Sequence, residues 1–512
     1  MSALHTWSGV VLGAVLFAVF WMGSLSVFDR EIDRWMMPHT RLPQAAPLSL
    51  DAVASIAGKL APDAQQWTAT LPSERTPLLS LRVPGPGRAV QHLLDPASGA
   101  RLEGPETKGG TGFVFPFHFM LHIGWLDLGI WLVGLCGMAM LALVISGVII
   151  HLRIFKDFLL FRPNKALSRS ALDLHTAIGV LAMPFHFIMP LSGLVIFFAL
   201  FFGSTWRAAF GGDEDAFDRE VFGSYERPRL EVQAPLASLD AMAGEAARRW
   251  SGSKPFMLRV FNAGDRNAYV EMRRSYAGDV AMNRDIIFFD GPSGAVLDTF
   301  SSKPIGRFQR FVAGIHFVQF DHWPLRWLYF AGGLSGCVMI ATGFLFWLES
   351  RRAEHARRGL WGVRVVEALT IGSVTGIMAS TLGYFAANRA LGAGASLAGW
   401  SRGDLEMLVF YALWLASFVH AGWRGRAAWG EQCVVLAGLG VLAPALDWLT
   451  TGDHPLAALA SGRTSVAVMD GLLLLGAVLA GVAARRLLRG APLLGLARSL
   501  DAASPGHEPV HG

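Results

Sequence analysis

Apolar residues in this chain gather in runs of about twenty, the length a helix needs to cross the roughly 30 Å apolar core of a bilayer. Runs near residues 6–27, 128–150, 175–200 and 326–348 predict four spans. Four more follow near 364–387, 405–421, 432–450 and 465–484. Two long polar stretches, about 30–115 and 205–315, interrupt the first four. Each mixes a helix-like piece with short alternating segments such as Leu79-Ser80-Leu81-Arg82-Val83, whose period of two marks a strand. The pattern predicts an all-α polytopic membrane bundle of about eight helices carrying two α+β extramembrane domains.

The first four spans read as one unit used twice. His5-Thr6-Trp7-Ser8-Gly9 leads through an apolar run to Gly23, and Asp173-Leu174-His175-Thr176-Ala177-Ile178-Gly179 leads to Gly193. The interval from His to the far Gly is 18 residues both times. In the polar stretches, Ser49-Leu50-Asp51-Ala52-Val53-Ala54 matches Ser238-Leu239-Asp240-Ala241-Met242-Ala243 at five of six positions. Leu94-Asp95-Pro96-Ala97-Ser98-Gly99 likewise resembles Phe289-Asp290-Gly291-Pro292-Ser293-Gly294. Separate matches in the same order are the signature of an internal repeat.

This divides the chain into a first span (1–28), a first polar domain (29–115), a His-bearing segment with span 2 (116–151) and a basic loop (152–173). The second copy has span 3 (174–202), a polar domain (203–315), a His-bearing segment with span 4 (316–349) and a basic loop (350–362). Four additional spans occupy 363–490, and 491–512 reads as a disordered tail.

Composition agrees. The chain is 53% hydrophobic and 16% charged, with mean hydropathy +0.41, whereas a soluble domain carries about 25% charged residues. The net charge of +5 says nothing of nucleic acid, because the basic residues sit in short loops. These are Arg153, Lys156, Arg162, Lys165 and Arg169 after span 2, Arg351, Arg352, Arg357 and Arg358 after span 4, Arg424 and Arg426, and Arg485, Arg486 and Arg489. Basic loops stay in the cytoplasm. Both termini are therefore expected inside a bacterial inner membrane, with both polar domains in the periplasm. The n-region lacks Lys and Arg and no clear A-x-A site follows, so the first apolar run is expected to be retained. Cys136, Cys337 and Cys433 all lie in or beside apolar runs, which leaves no disulfide framework.

The candidate chemistry is histidine. Neutral imidazole is the commonest metal ligand, and haem iron is often held by His. His5 and His175 start two helices that run in the same direction; His122 and His316 each precede a helix running back. Two histidines from two helices can clamp one haem from both sides, an arrangement suited to electron transfer. His118 stands one helical turn from His122, His186 is nearly in register with His175 on the same predicted helix, and His322 follows His316. All three compete as ligands, so the outer set stays open. Asp447 and Asp470 sit within or near the last two spans, where a proton path, a substrate contact and a span-end position are all open readings.

These residues carry a resemblance. Residues 1–350 resemble the PepSY-associated transmembrane family, which includes iron-regulated membrane proteins and ferric-siderophore reductases. The carriers are Leu4-His5-Thr6-Trp7-Ser8-Gly9 with Phe28-Asp29-Arg30-Glu31-Ile32-Asp33, Asp173-Leu174-His175 with Gly179, Leu121-His122, Ile315-His316 and Thr342-Gly343. The resemblance implies PepSY-like periplasmic domains, haem b in the membrane, and reduction of ferric iron or a ferric siderophore during iron uptake. The leading expectation is a di-haem electron carrier, with His5 and His175 on an inner haem and His122 and His316 on an outer one. No flavin or nicotinamide fingerprint is present, so a quinol or a separate protein is expected to supply electrons. Two rival readings stand beside it: a periplasmic binding or regulatory module anchored in the membrane, and a transporter. Residues 351–512 do not map onto the family.

Overall fold

A computed structural model of the chain describes residues 1–490 apart from 44–46, 86, 88, 105, 152–161 and 163–165. Arg153, Lys156 and Lys165 of the basic loop, and the 491–512 tail, lie outside the described residues. Among the described residues seven helices are long and apolar enough to cross a membrane, and a bent pair makes an eighth. The chain forms two compact units that part near residue 342, with residues 166–171 belonging to the second.

The first unit opens with α1 (Ser2–Ser26), apolar on every side as a membrane helix must be, and the short α2 (Asp29–Met36). α3 (Leu50–Leu60) belongs to the first polar stretch; α4 (Phe115–Met120) and α5 (Leu128–Ile150) return to the membrane. The predicted straight span over 175–200 is instead two helices, α6 (Leu167–Leu181) and α7 (Met183–Ile196), bent by 66°. Pro184 in the first turn of α7 has no N–H to give and crowds the turn before it. That bend removes the register expected between His175 and His186. Beyond the short helices Phe198–Phe201, Gly203–Ala209 and Glu214–Phe222 come α8 (Leu239–Arg249), α9 (Pro304–Phe317) and α10 (Trp323–Arg357).

The two polar stretches share one sheet rather than forming two. β1 (Gln66–Thr70), β2 (Leu79–Val83) and β3 (Val90–Leu94) come from the first, and β4 (Pro255–Phe261), β5 (Tyr269–Arg274), β6 (Asp285–Asp290) and β7 (Val296–Ser301) from the second. The order is β3-β2-β1-β4-β5-β6-β7, antiparallel throughout, joined where Thr68 of β1 faces Arg259 of β4. Val53 of α3 and Leu239 and Met242 of α8 bury against Trp67, Leu81, Val260 and Phe289 of the sheet. Continuing one sheet through β1 and β4 pairs two edges that separate domains would leave open.

The two Ser-Leu-Asp-Ala stretches meet at the starts of α3 and α8. Ser49 and Ser238 each cap their own helix. The aspartates then cross over: Asp240 accepts from the backbone N–H groups of Leu50 and Asp51, while Asp51 accepts from Leu239 N–H and Ser238 Oγ. Helix N-termini leave unpaired N–H groups and favour negative charge, so each helix supplies what the other lacks. The turns at Gly99 and Gly294 are also alike, both at φ +71°, with Ser98 bonded to Asp95 and Ser293 to Asp290.

The second unit holds α11 (Gly362–Ala390), α12 (Arg402–Arg424), α13 (Ala427–Thr451) and α14 (Thr464–Gly490). α11 contains a wide turn at Gly372–Gly376 and packs against α12 and α13; α14 packs against α13. Leu415, Val419 and Leu479 are exposed, as side chains facing lipid would be.

Candidate functional site

Four histidines of the first unit come together as two pairs. His5, in the first turn of α1, faces His175 of α6 with ring centres 6.4 Å apart and planes at 88°. His118 of α4 faces His316 of α9 with centres 6.0 Å apart and planes at 32°. A metal–imidazole bond is about 2.0–2.1 Å and the ring centre lies about 1.1 Å beyond, so imidazoles on opposite sides of one ion have centres about 6 Å apart. Both pairs match that span.

Each ring is held by the same nitrogen. His118 Nδ1 donates to the Val19 carbonyl at 2.8 Å, and His175 Nδ1 to the Met339 carbonyl at 2.8 Å. His316 Nδ1 reaches the Met189 carbonyl and Ser192 Oγ, both at 3.0 Å. His5 Nδ1 lies 3.1 Å from Ser146 Oγ, whose own proton goes to Leu143. An oxygen on Nδ1 fixes the tautomer that leaves the Nε2 lone pair for a metal. Among the described residues no hydrogen bond reaches Nε2 in any of the four.

The other three candidates differ. Leu121 and His122 leave α4 at positive φ, and His122 stacks on Phe113 at 5.0 Å with its Nε2 donating to the Phe113 carbonyl at 2.8 Å. The ring that faces His316 is therefore His118, not His122. His186 gives Nε2 to Ser335 Oγ at 3.1 Å and buries its Nδ1 without a partner among the described residues. His322 Nε2 lies 3.3 Å from the Gly278 carbonyl at an exposed position. Among the described residues, no three of His, Cys, Asp and Glu gather as a metal cage. A sequence signal for His118 existed: Pro-Phe-His-Phe occurs at 116–119 and again at 184–187. The nitrogen each ring uses is set by neighbouring helices and is invisible in that match.

The 18-residue interval now has a structural account. α1 presents His5 to the His175 pair and, about 21 Å further along at 1.5 Å per residue, Val19 to the His118–His316 pair. A β-carbon on Gly23 would lie 2.6 Å from the His118 ring, and one on Gly193 would lie 3.0 Å from His316. Both glycines therefore let a helix backbone lie against an imidazole of the His118–His316 pair. Beside this pair is an apolar cavity of about 380 Å³, lined by His118, His316, Gly23, Gly193, Phe115 and Phe197 among others.

A second cavity, about 410 Å³ and polar, lies between the sheet and α2. Arg30, Arg34, Lys108, Tyr276 and Gln319 line it. Arg75 also lines it and ties it to a buried ionic cluster. Glu31 accepts from Arg75 at 2.9 and 3.0 Å and from Arg326 at 2.8 and 3.2 Å; Asp29 accepts from Arg75 at 3.2 Å. Burial works to raise Glu31, but the two guanidinium groups overcome it and hold the carboxyl below its usual range. Asp33 also borders the cavity and accepts from Gly110 N–H at 2.7 Å and Thr111 Oγ1 at 2.6 Å. Burial dominates there and lifts Asp33 to about 7. Asp321, on the same wall, is also raised by burial. Arg30, Arg34, Arg75 and Lys108 border the cavity against two carboxyls that burial raises, so it favours an anion.

Comparison with known proteins agrees with this architecture over its first two thirds. An uncharacterized protein of Pseudomonas aeruginosa is 29% identical over 351 residues, covering 63% of this chain and 84% of its own length. The family pattern described as the PepSY-associated TM region matches residues 2–350, which contain both histidine pairs and the whole sheet. The chain is thus a multi-pass membrane protein and belongs to the PepSY-associated TM family.

Proposed function

We propose that this protein is a haem-bearing inner-membrane electron-transfer protein that reduces ferric iron, free or held by a siderophore, at the periplasmic face. The observation that carries the reading is the pair of two-histidine sites, each with ring centres about 6 Å apart and each ring engaged through Nδ1, which leaves Nε2 for a metal. His5 and His175 would hold one haem b, and His118 and His316 the other. Bound there, haem supplies one-electron chemistry at two levels of the membrane. The protein's part is to fix the imidazoles, exclude water with apolar walls and bring the substrate close.

The polar cavity suits that last task. Arg30, Arg34 and Lys108 would attract an anionic ferric chelate, and Gln319 on its wall is three residues from His316, at most about 11 Å of chain. Reduction to Fe(II) weakens binding to hard oxygen donors, so the chelate opens after one electron arrives. A quinol or a separate protein would supply electrons. The same reading takes the first four spans as two copies of one PepSY-bearing unit, supported by the crossed caps of α3 and α8 and the matched His-to-Gly intervals. It puts the basic ends of α10, α12 and α14 in the cytoplasm.

The test is a pyridine haemochrome count on purified protein with oxidised and reduced spectra. Two low-spin b haems per chain are expected. His118→Ala and His316→Ala should each leave one, while His122→Ala leaves two. A colourless protein after supply of haem precursor overturns the reading and moves the binding module to first place. Two haems in His118→Ala, or one in His122→Ala, overturns the outer pair alone.

A further inference from the structure

The second unit lies beyond the family match and has buried polar groups of its own. α11 is the most enclosed of the predicted spans. A helix surrounded by neighbours in a membrane ordinarily buries apolar side chains. α11 instead buries Thr375, Ser380, Thr381, Tyr384, Asn388 and Arg389. Hydroxyl residues also serve close packing, and Ser380 and Thr381 return hydrogen bonds to carbonyls one turn back, so they carry no argument alone.

What surrounds them does. At the wide turn in the middle of α11 a hydrogen-bonded chain arrives from the part-exposed His420. His420 Nε2 lies 2.9 Å from Glu431, Gln432 Nε2 lies 3.4 Å from His420 Nδ1, and Thr375 Oγ1 donates to Gln432 Oε1 at 2.6 Å. At the C-terminal end of α11 Asn388 Nδ2 donates to Glu406 at 2.9 Å, Arg402 lies 3.4 Å from Glu406, and Arg389 lies 3.4 Å from Asp447. Asp470 is buried within two turns of that same end of α14. Thr375 and Asn388 are 13 residues apart, about 20 Å along a helix. Ser380, Thr381 and Tyr384 fill the interval, and Thr381, Tyr384 and Asn388 share a face by their three- and four-residue spacing.

Glu406, Asp447 and Asp470 are each 0% exposed. With Arg389 and Arg402 they make three carboxylates against two guanidinium groups, one negative charge in excess if all are ionised. Ionisable groups inside a membrane are costly and mark ion or proton pathways. Asn388 adds an independent sign. Its Nδ2 is engaged by Glu406, and its Oδ1 is buried with no donor among the described residues. A protonated carboxyl or a water in the path would supply that donor.

We propose that α11–α14 form a proton path along α11, with His420 as the port at one end and Glu406, Asp447 and Asp470 as proton-holding carboxylates at the other. A proton enters from water at one face and leaves at the other, driven by the membrane potential, with no other bond made or broken. Tyr384, Glu367, Cys433 and the Tyr411 hydroxyl are further titratable groups buried in this unit, and Asp453 with Arg463 form an ion pair in the α13–α14 connection. The proposal is independent of haem.

The test is the full chain in proteoliposomes with trapped pyranine, under a potassium diffusion potential set by valinomycin. The internal pH is expected to move several-fold faster than in protein-free vesicles. Glu406→Gln, Asp447→Asn and Asp470→Asn should each slow it about tenfold, and His420→Phe should slow it with the carboxylate cluster intact. Glu406→Asp, which keeps the carboxyl, should restore much of the rate and so separates loss of the proton site from loss of fold. Wild-type vesicles no faster than protein-free ones, at either polarity, overturn the path. So does a sodium-dependent current without a pH change, or neutral variants that conduct like the wild type.

Discussion

Glu31 is the sharpest test of how the sheet is fastened to the membrane helices. Its two oxygens receive four charge-assisted hydrogen bonds, two from Arg75 and two from Arg326. Arg75 and Arg326 have side chains 1% and 0% exposed, so neither can turn to water when its partner is lost. Arg326 is also wedged 4.8 Å from the Phe28 ring and 4.6 Å from the Trp323 ring. In Glu31→Gln the shape is kept, but two guanidinium groups share one carboxylate, Asp29. Removing one partner of a buried ion pair typically costs about 3–5 kcal/mol, because the remaining charge is uncompensated. At about 2–4 °C per kcal/mol for a domain of a few hundred residues, the melting temperature should fall by roughly 10 °C. The assay is a thermal melt of wild type and variant in the same detergent, at neutral pH, followed by far-ultraviolet circular dichroism. Asp29→Asn should cost less, because Asp29 receives one bond from Arg75 and Arg326 keeps its carboxylate. A Glu31→Gln melt within about 2 °C of wild type, or a larger loss in Asp29→Asn, would refute the idea that Glu31 holds the cluster.

Other expectations follow from single contacts. Gly23→Ala places a β-carbon 2.6 Å from the His118 ring and should disturb the outer pair, read as a changed reduced spectrum or a lost haem; Gly9→Ala, with its nearest neighbour at 3.8 Å, should leave the spectrum unchanged. Burial raises Asp33 from 3.8 to about 7, so the fold favours the protonated acid. Its contribution is complete below pH 4 and is lost as pH rises through 7, roughly 4 kcal/mol over the window. The wild type should therefore melt lower at pH 8 than at pH 5.5, and Asp33→Asn should narrow that gap; equal gaps would count against the assignment. Asp240→Ala removes the acceptor for two N–H groups of α3 and should cost about 1 kcal/mol, with a similar loss in Asp51→Ala through α8. Urea titration of the fold in detergent measures both, and a loss confined to one of them would break the crossed-cap account.

The positions of the helices were legible because spanning a bilayer imposes a length and a composition that only local sequence can meet. The spans read near 128–150 and 432–450 correspond to helices Leu128–Ile150 and Ala427–Thr451. The Ser-Leu-Asp-Ala match located both α3 and α8, since a capping serine and a first-turn aspartate act within a few residues. Proline 184 was equally visible, but its effect was not: whether a helix with proline continues or bends depends on what packs beside it, and here α6 and α7 part by 66°.

Tertiary structure decided what lies far apart in sequence. Pairing of β1 with β4 joined two polar stretches nearly 200 residues apart into one sheet, which alternation within single strands cannot foretell. Histidine chemistry divided the same way. The sequence marked His5, His175 and His316 through short matched motifs, yet only His5 sits at a helix start: His175 lies within Leu167–Leu181 and His316 in the last turn of Pro304–Phe317. The choice of His118 over His122 rests on a left-handed turn at Leu121–His122 and on the carbonyl of Val19, 99 residues away, which takes the His118 Nδ1 proton. An imidazole has two nitrogens, and which one is left for a ligand is settled by the oxygen the fold brings to the other.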